Sequence, residues 1–129
     1  LYANNLSDRE RMWSDMSELW PDAWLPKLAL LHTIQENEEK NLSTQNRCIN
    51  LLEDILHQQP NLKSERKLLA RIYRKAGQNT NALRHYKYIL STEEPDNTFI
   101  LEAASFYDQL SLNWEAEKAR QRIKSQNKL

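Results

Sequence analysis

Residues 64–95 read SERKLLARIYRKAGQNTNALRHYKYILSTEEP, and their apolar spacing decides the fold. In the first half Leu69, Ala70 and Tyr73 fall on one face of a helix. In the second half Ala82, Leu83, Tyr86, Ile89 and Leu90 form an i, i+1, i+4, i+7, i+8 stripe, the signature of an amphipathic helix. Between them stands Gly77, the only glycine in the chain, placed to supply a left-handed turn. Pro95 is placed to stop the second helix. Two small side chains, Ala70 and Ala82, allow the paired helices to approach closely.

Moving outward, the same pattern recurs at one fixed spacing, the interval that separates Cys48 from Ala82 and Tyr73 from Tyr107. The stripe of the second helix is preceded, one such interval earlier, by Cys48, Ile49, Leu52, Ile55 and Leu56. The run Leu69-Ala70-Arg71-Ile72-Tyr73 is followed, one interval later, by Ala103-Ala104-Ser105-Phe106-Tyr107, and Ala82 returns as Ala116. A spacing shared by both helices of a pair marks an internal repeat. Short polar connections make neighbouring helices antiparallel. Seven helices are expected, near 6–20, 23–36, 44–59, 64–76, 80–92, 97–110 and 114–125. The expected class is all-α, a right-handed stack of antiparallel helix pairs in one domain. A helical bundle without repeat geometry is the alternative.

The positions Leu69, Ala70, Tyr73, Gly77, Ala82, Tyr86, Leu90 and Pro95 together resemble a unit of the tetratricopeptide repeat family. The resemblance covers 64–95 and continues over 97–125, where Ser111 takes the place of the turn glycine. In 22–60 Leu28, Ala29 and His32 match a first helix, and Cys48, Leu52 and Pro60 a second. The link between those two helices is long and polar, so Glu36–Thr44 is expected to be an extended mobile loop with Leu42 its one apolar side chain.

Ser7-x-x-Glu10 reads as a capping box for a first helix over 7–20, on which Met12, Trp13, Met16, Leu19 and Trp20 repeat the stripe. It looks like the second helix of a unit whose first helix is missing, as in a fragment. In the last helix the places held by Leu83, Tyr86 and Leu90 become Glu117, Arg120 and Lys124, the polar outer face of a terminal cap.

The composition narrows the chemistry. One glycine leaves none for a phosphate-cradling loop, and one cysteine allows no intrachain disulfide. The net charge is zero, which argues against a broad nucleic-acid footprint. No apolar run approaches the roughly 18 residues of a membrane span. Compartment stays open between cytoplasm and a periplasmic domain of an anchored protein.

Catalytic and metal-binding patterns are not apparent, and neither a cofactor nor an enzymatic role is expected. His32, at the place of Tyr73 and Tyr107, reads as a packing residue; His57 and His85 read as surface residues. Cys48 reads as a small buried side chain between helices, beside Arg47. Glu36, Glu38 and Glu39 lack calcium-loop spacing. Trp114 reads as a wedge between helices. Trp13, Met16 and Trp20 either pack as core or form a second interface, for a neighbouring domain or a second copy as a homodimer.

In the tetratricopeptide family the first helices line a concave face that takes extended peptides or a partner's helix. On the corresponding helix here Lys67, Arg71, Arg74 and Lys75 share nearly one side, and Leu30 and Ile34 lie on the preceding first helix. These six are the candidate contacts for an acidic or helical segment of another protein; a solvated helix surface is the bland alternative. A chaperone-tail clamp is not expected, because Arg71 replaces the family's asparagine and Glu102 lies in the next first helix. The resemblance implies a scaffold or adaptor within a larger bacterial assembly, secretion or polysaccharide-export protein. The alternative is the sensory domain of a multidomain regulator such as a transcription factor.

Overall fold

Short polar side chains fix where three of the helices begin. In the computed structural model, which describes residues 5–36, 41–92 and 95–126, the helices are α1 (Leu6–Leu19), α2 (Trp24–Glu36), α3 (Leu42–Gln58), α4 (Lys63–Lys75), α5 (Asn79–Leu90), α6 (Asn97–Gln109) and α7 (Asn113–Gln126). The described residues contain these seven helices and no strand, an all-α, repeat-like architecture.

Asn5 Oδ1 accepts from the amide of Asp8 at 2.8 Å, so α1 is capped at Asn5. The expected capping box at Ser7 is therefore corrected: Ser7 already lies in the first turn. Asn41 Oδ1 likewise accepts from the amide of Thr44 at 2.9 Å and starts α3. Leu42, Ser43 and Thr44 consequently belong to a helix, not to the polar loop expected over 36–44. Glu36 ends α2, and residues 37–40 of that loop lie outside the described residues. Asp96 Oδ1 caps α6 through the amide of Phe99 at 2.7 Å.

The helix ends reproduce the expected turn in two places. Gly77 sits at φ 76°, with Gln78 N–H donating to the Tyr73 carbonyl at 2.9 Å and Gly77 N–H to that of Arg74 at 3.1 Å. This pair of bonds closes a helix with one left-handed residue. Ser111 does the same after α6 at φ 60°: Leu112 N–H donates to Tyr107 O at 2.8 Å and Ser111 N–H to Asp108 O at 3.0 Å. Pro95, in contrast, does not stop α5. That helix ends at Leu90, where the hydroxyls of Ser91 and Thr92 donate to the carbonyls of Tyr88 (2.6 Å) and Ile89 (2.7 Å). Local side-chain bonds compete with the next helical turn before proline is reached.

The chain divides into two compact units, Leu1–His85 and Tyr86–Leu129, with the boundary inside α5. In the first unit α1 packs on α2, α2 on α3, and α3 on α4. Leu31, Leu52, Ile55 and Leu69 are fully buried there, each contributing about 1.5–3 kcal/mol of burial. Ala70 and Ala82 are also fully buried, as the repeat register requires. Helix α1 buries no residue and is tied by ion pairs from Arg9 to Glu36 (3.0 Å) and from Glu10 to Arg47 (2.6 Å).

In the second unit α6 packs on α7, and Tyr86 is fully buried against Phe99 (ring centroids 5.2 Å apart) and Phe106 (5.0 Å). The Tyr86 hydroxyl donates to Glu102 Oε2 at 2.7 Å, so its polar end is satisfied. Ala103, Ala104, Tyr107 and Ala116 are buried at their repeat positions. On α7 Glu117 is exposed and Arg120 pairs with Asp108, in keeping with a polar outer face.

Candidate binding site

Helix α4 presents three different surfaces. At about 100° per residue, Leu69, Ala70 and Tyr73 point one way and are buried. Leu68, Arg71, Ile72 and Lys75 point another way and line an open cavity of ≈ 520 Å³. Lys67 and Arg74 lie on the flank beyond Arg71 and do not line it. The sequence grouped all four cations as one stripe; the structure brings only Arg71 and Lys75 to the cavity.

The floor of the cavity is apolar, formed by Ile34 of α2, Cys48 of α3, and Leu68 and Ile72 of α4. Arg71 and Lys75 stand exposed along one side. The other side is uncharged and polar: Gln35 from the end of α2, and Asn41, Thr44 and Gln45 from the start of α3. Leu42 completes the rim and is 70% exposed. Among the described lining residues there is no Asp or Glu. The site exists because the Asn41 cap starts α3 early enough to place its first two turns opposite α4.

Of the two apolar residues expected to line the groove, Ile34 is at the cavity and Leu30 is not. Both are buried on the core face of α2, Leu30 at 5% and Ile34 at 2% exposed, and only Ile34 reaches the cavity lining. Leu30 is withdrawn as a partner contact. Cys48 is buried at the floor, and burial pushes its thiol up against a smaller opposing pull from Arg47. It is a neutral, small apolar side chain there, as expected.

On the opposite face of α4 lies a partly buried polar cluster. Tyr73 Oη donates to Glu53 Oε1 at 2.6 Å, and His85 stacks on the Tyr73 ring with centroids 5.6 Å apart. Arg66 donates to His85 Nδ1 at 3.2 Å and to the Pro60 carbonyl at 3.1 Å. With Nδ1 accepting, the proton sits on Nε2, which faces Glu53 Oε1 at 3.4 Å. Burial, aided by Arg66 and Arg84, holds His85 below its ordinary value despite Glu53. Burial, reinforced by Glu53, pushes Tyr73 up to about 12.

The expectation that His85 is a surface residue is thus overturned: it is 6% exposed. The repeat held a signal for this, because the equivalent position in the next unit is Ala119, also buried. His32 errs in the other direction. It is exposed, although Tyr73 and Tyr107 at the equivalent places are buried, so it is not a packing residue. His57 is exposed, as expected.

The second candidate face lies on α1. Trp13 and Met16 are half-buried, while Trp20 is 55% exposed, and Leu19 and Leu25 are exposed as well. Trp114, expected to wedge between helices, is instead 68% exposed, with Lys118 Nζ 4.4 Å from its ring centroid. It borders a second opening of ≈ 540 Å³ in the Tyr86–Leu129 unit, with Lys87, Leu90, Tyr107 and Arg122. Arg122 is committed there to the carbonyls of Leu90 and Thr92.

Glu36 pairs with Arg9, and Glu38 and Glu39 lie outside the described residues. Among the described residues no cluster of His, Cys, Asp or Glu could hold a metal ion, and no helix is long and apolar enough to cross a membrane. The cavity beside α4 offers an apolar floor with cations on one side and hydrogen-bonding groups on the other, an arrangement suited to binding. The chain matches no protein-family profile and no curated protein sequence.

Proposed function

We propose that this chain is a protein-interaction module of the tetratricopeptide kind, a scaffold or adaptor whose α2–α4 face receives an acidic or helical segment of a partner. The observation that carries it is the cavity, where Arg71 and Lys75 stand beside an apolar floor. A partner side chain enters the floor, and neighbouring carboxylates meet the two cations. The internal repeat, with Ala70, Ala82 and Ala116 buried in register, supports the family assignment. A role inside a larger bacterial assembly, secretion or polysaccharide-export protein is the setting this reading favours.

The test is capture of a partner by the full-length protein and by charge-reversed forms. Arg71→Glu with Lys75→Glu weakens capture, more at low salt than at high, with far-UV circular dichroism used to select forms that keep the helical fold. The flanking pair Lys67→Glu with Arg74→Glu weakens it less. Equal capture by all three proteins at low salt refutes the site.

A second contact is favoured by one observation: α1 buries no residue and leaves Trp20 more than half exposed. Trp13, Met16 and Trp20 would then meet a second copy of the chain. Trp20→Glu lowers the apparent mass at high protein concentration under this reading and leaves it unchanged otherwise.

A further inference from the structure

Helix α4 begins without the side-chain cap that α1, α3 and α6 receive, because Leu62 stands at its N-cap. A different tie serves this end. The Arg66 guanidinium, in the first turn, donates to the Pro60 carbonyl at 3.1 Å and to His85 Nδ1 at 3.2 Å. One side chain thus joins the chain entering α4 to the middle of α5.

The tie requires an Nδ1 that carries no hydrogen. His85 is 6% exposed, and the charged or titratable groups about its ring are Glu53 from α3, Arg66 and Tyr73 from α4, and Arg84 on α5 itself. A proton on Nδ1 meets them with opposite results. Glu53 Oε1, 3.4 Å from Nε2, becomes an ion-pair partner of the imidazolium. Arg66 becomes a misfit: two donors and two positive charges then confront each other at 3.2 Å, and that contact does not survive. The ring is buried and stacked on Tyr73, so it stays. Arg66 is half-buried on a long flexible stem, so it is the group that moves. Burial holds the ring below its ordinary value, and the proton therefore arrives in acid and not at neutrality.

We propose that His85 and Arg66 form a proton-released latch at the start of α4: a proton gained from solvent at His85 Nδ1 expels the Arg66 guanidinium, which lets go of Pro60 and frees the first turn. The imidazolium keeps its place on Glu53, so α5 remains anchored to α3 while the entrance of α4 loosens. The latch does not depend on what the cavity beside α4 binds.

The test is nuclear magnetic resonance on the full chain, titrated from about pH 7.5 to 4.5 to span the imidazole. Ring signals of His85 are identified by their loss in His85→Gln, and guanidinium signals of Arg66 by their loss in Arg66→Met. The two sets are expected to change with one midpoint. Amide exchange, corrected for its own dependence on pH, reads the helix end. The Arg66 amide donates to the Leu62 carbonyl at 3.1 Å, and its protection is expected to fall about tenfold as the ring titrates, as for one lost charge-assisted bond. The Gln45 amide makes the same bond to the Asn41 carbonyl at the capped start of α3, and its protection is expected to hold. His85→Gln keeps an acceptor for Arg66 but does not titrate, so the response at Arg66 disappears. Arg66→Met removes the opposing cation, so the ring takes its proton at higher pH.

The proposal is overturned by Arg66 signals indifferent to the titration of the ring, or by equal loss of protection at Arg66 and Gln45. A ring midpoint unmoved in Arg66→Met, or a ring still neutral at the acid end of the range, overturns it as well.

Discussion

The two left-handed helix ends allow an exchange experiment whose signs are opposite. Gly77 sits at φ 76° after α4 and Ser111 at φ 60° after α6, each closing its helix with the same pair of backbone bonds. An L-residue with a Cβ is disfavoured in this region by roughly 1–2 kcal/mol. Replacing glycine by alanine also restricts the unfolded chain, which returns about 0.4–1 kcal/mol. A Cβ built on Gly77 meets no atom within 4 Å, so no steric term is added. Gly77→Ala is therefore expected to cost about 1 kcal/mol net, and Ser111→Gly to gain about the same. For a chain of this length each corresponds to a melting shift of about 3–6 °C. The assay is urea unfolding by far-UV circular dichroism, with thermal scans as a check. A decrease in stability for Ser111→Gly, or none for Gly77→Ala, would falsify the assignment of both positions as equivalent turns.

Four further outcomes follow from other parts of the structure. Ala82→Leu overpacks a fully buried position and lowers stability by about 1–3 kcal/mol, read by urea unfolding; an unchanged midpoint contradicts the register. Asn41→Ala removes the α3 cap at a cost of about 1 kcal/mol and frays Leu42–Thr44, seen as faster amide exchange there and not at Ile55. His85 is held neutral, with its folded value below the ordinary 6.5, so the unfolded chain binds the proton more readily. Its contribution is complete above about pH 6.5 and is lost as pH falls toward the lower folded value. Wild type should lose stability between pH 7.5 and 5 more steeply than His85→Gln, and parallel curves would contradict the neutral, Arg66-bound ring. Tyr73 gives the alkaline counterpart: its folded value near 12 lies above the ordinary 10, so the stabilisation present below pH 10 is lost above it, and Tyr73→Phe should flatten that loss.

Much of the fold was legible because helical periodicity and the repeat spacing speak about the same residues. The stripe Cys48, Ile49, Leu52, Ile55 and Leu56 is buried in full, and Tyr73 and Tyr107 are buried at equivalent places. What periodicity cannot supply is the cover that a neighbouring helix provides. His85 lies on the buried side of α5, yet a polar ring on a stripe reads as surface until Glu53 and Arg66 are seen to satisfy it. His32 shares a repeat position with two buried tyrosines but is left exposed where it stands.

The caps at Asn5 and Asn41 are not singled out by sequence pattern. Each asparagine sits at the edge of a polar run in which several residues could begin the helix. The candidate site was legible in part for a similar reason. Lys67, Arg71, Arg74 and Lys75 do share one side of α4, but the cavity opens roughly 60° around the helix from the centre of that stripe. Only Arg71 and Lys75 overlap it. Its polar wall, Gln35, Asn41, Thr44 and Gln45, comes from two helix ends whose approach no pattern within either helix encodes.

Where a partner touches this chain can be read directly by placing a photo-cross-linking side chain at one exposed position at a time in the full-length protein. Leu42 stands on the cavity rim, Trp20 on the open face of α1, and Trp114 beside the second opening; all three are more than half exposed. Adducts are expected at position 42, absent when Arg71 and Lys75 are reversed to glutamate, and weak or absent at 114. Adducts confined to position 20, or an adduct at 42 indifferent to the charge reversal, would contradict the cavity beside α4 as the binding site.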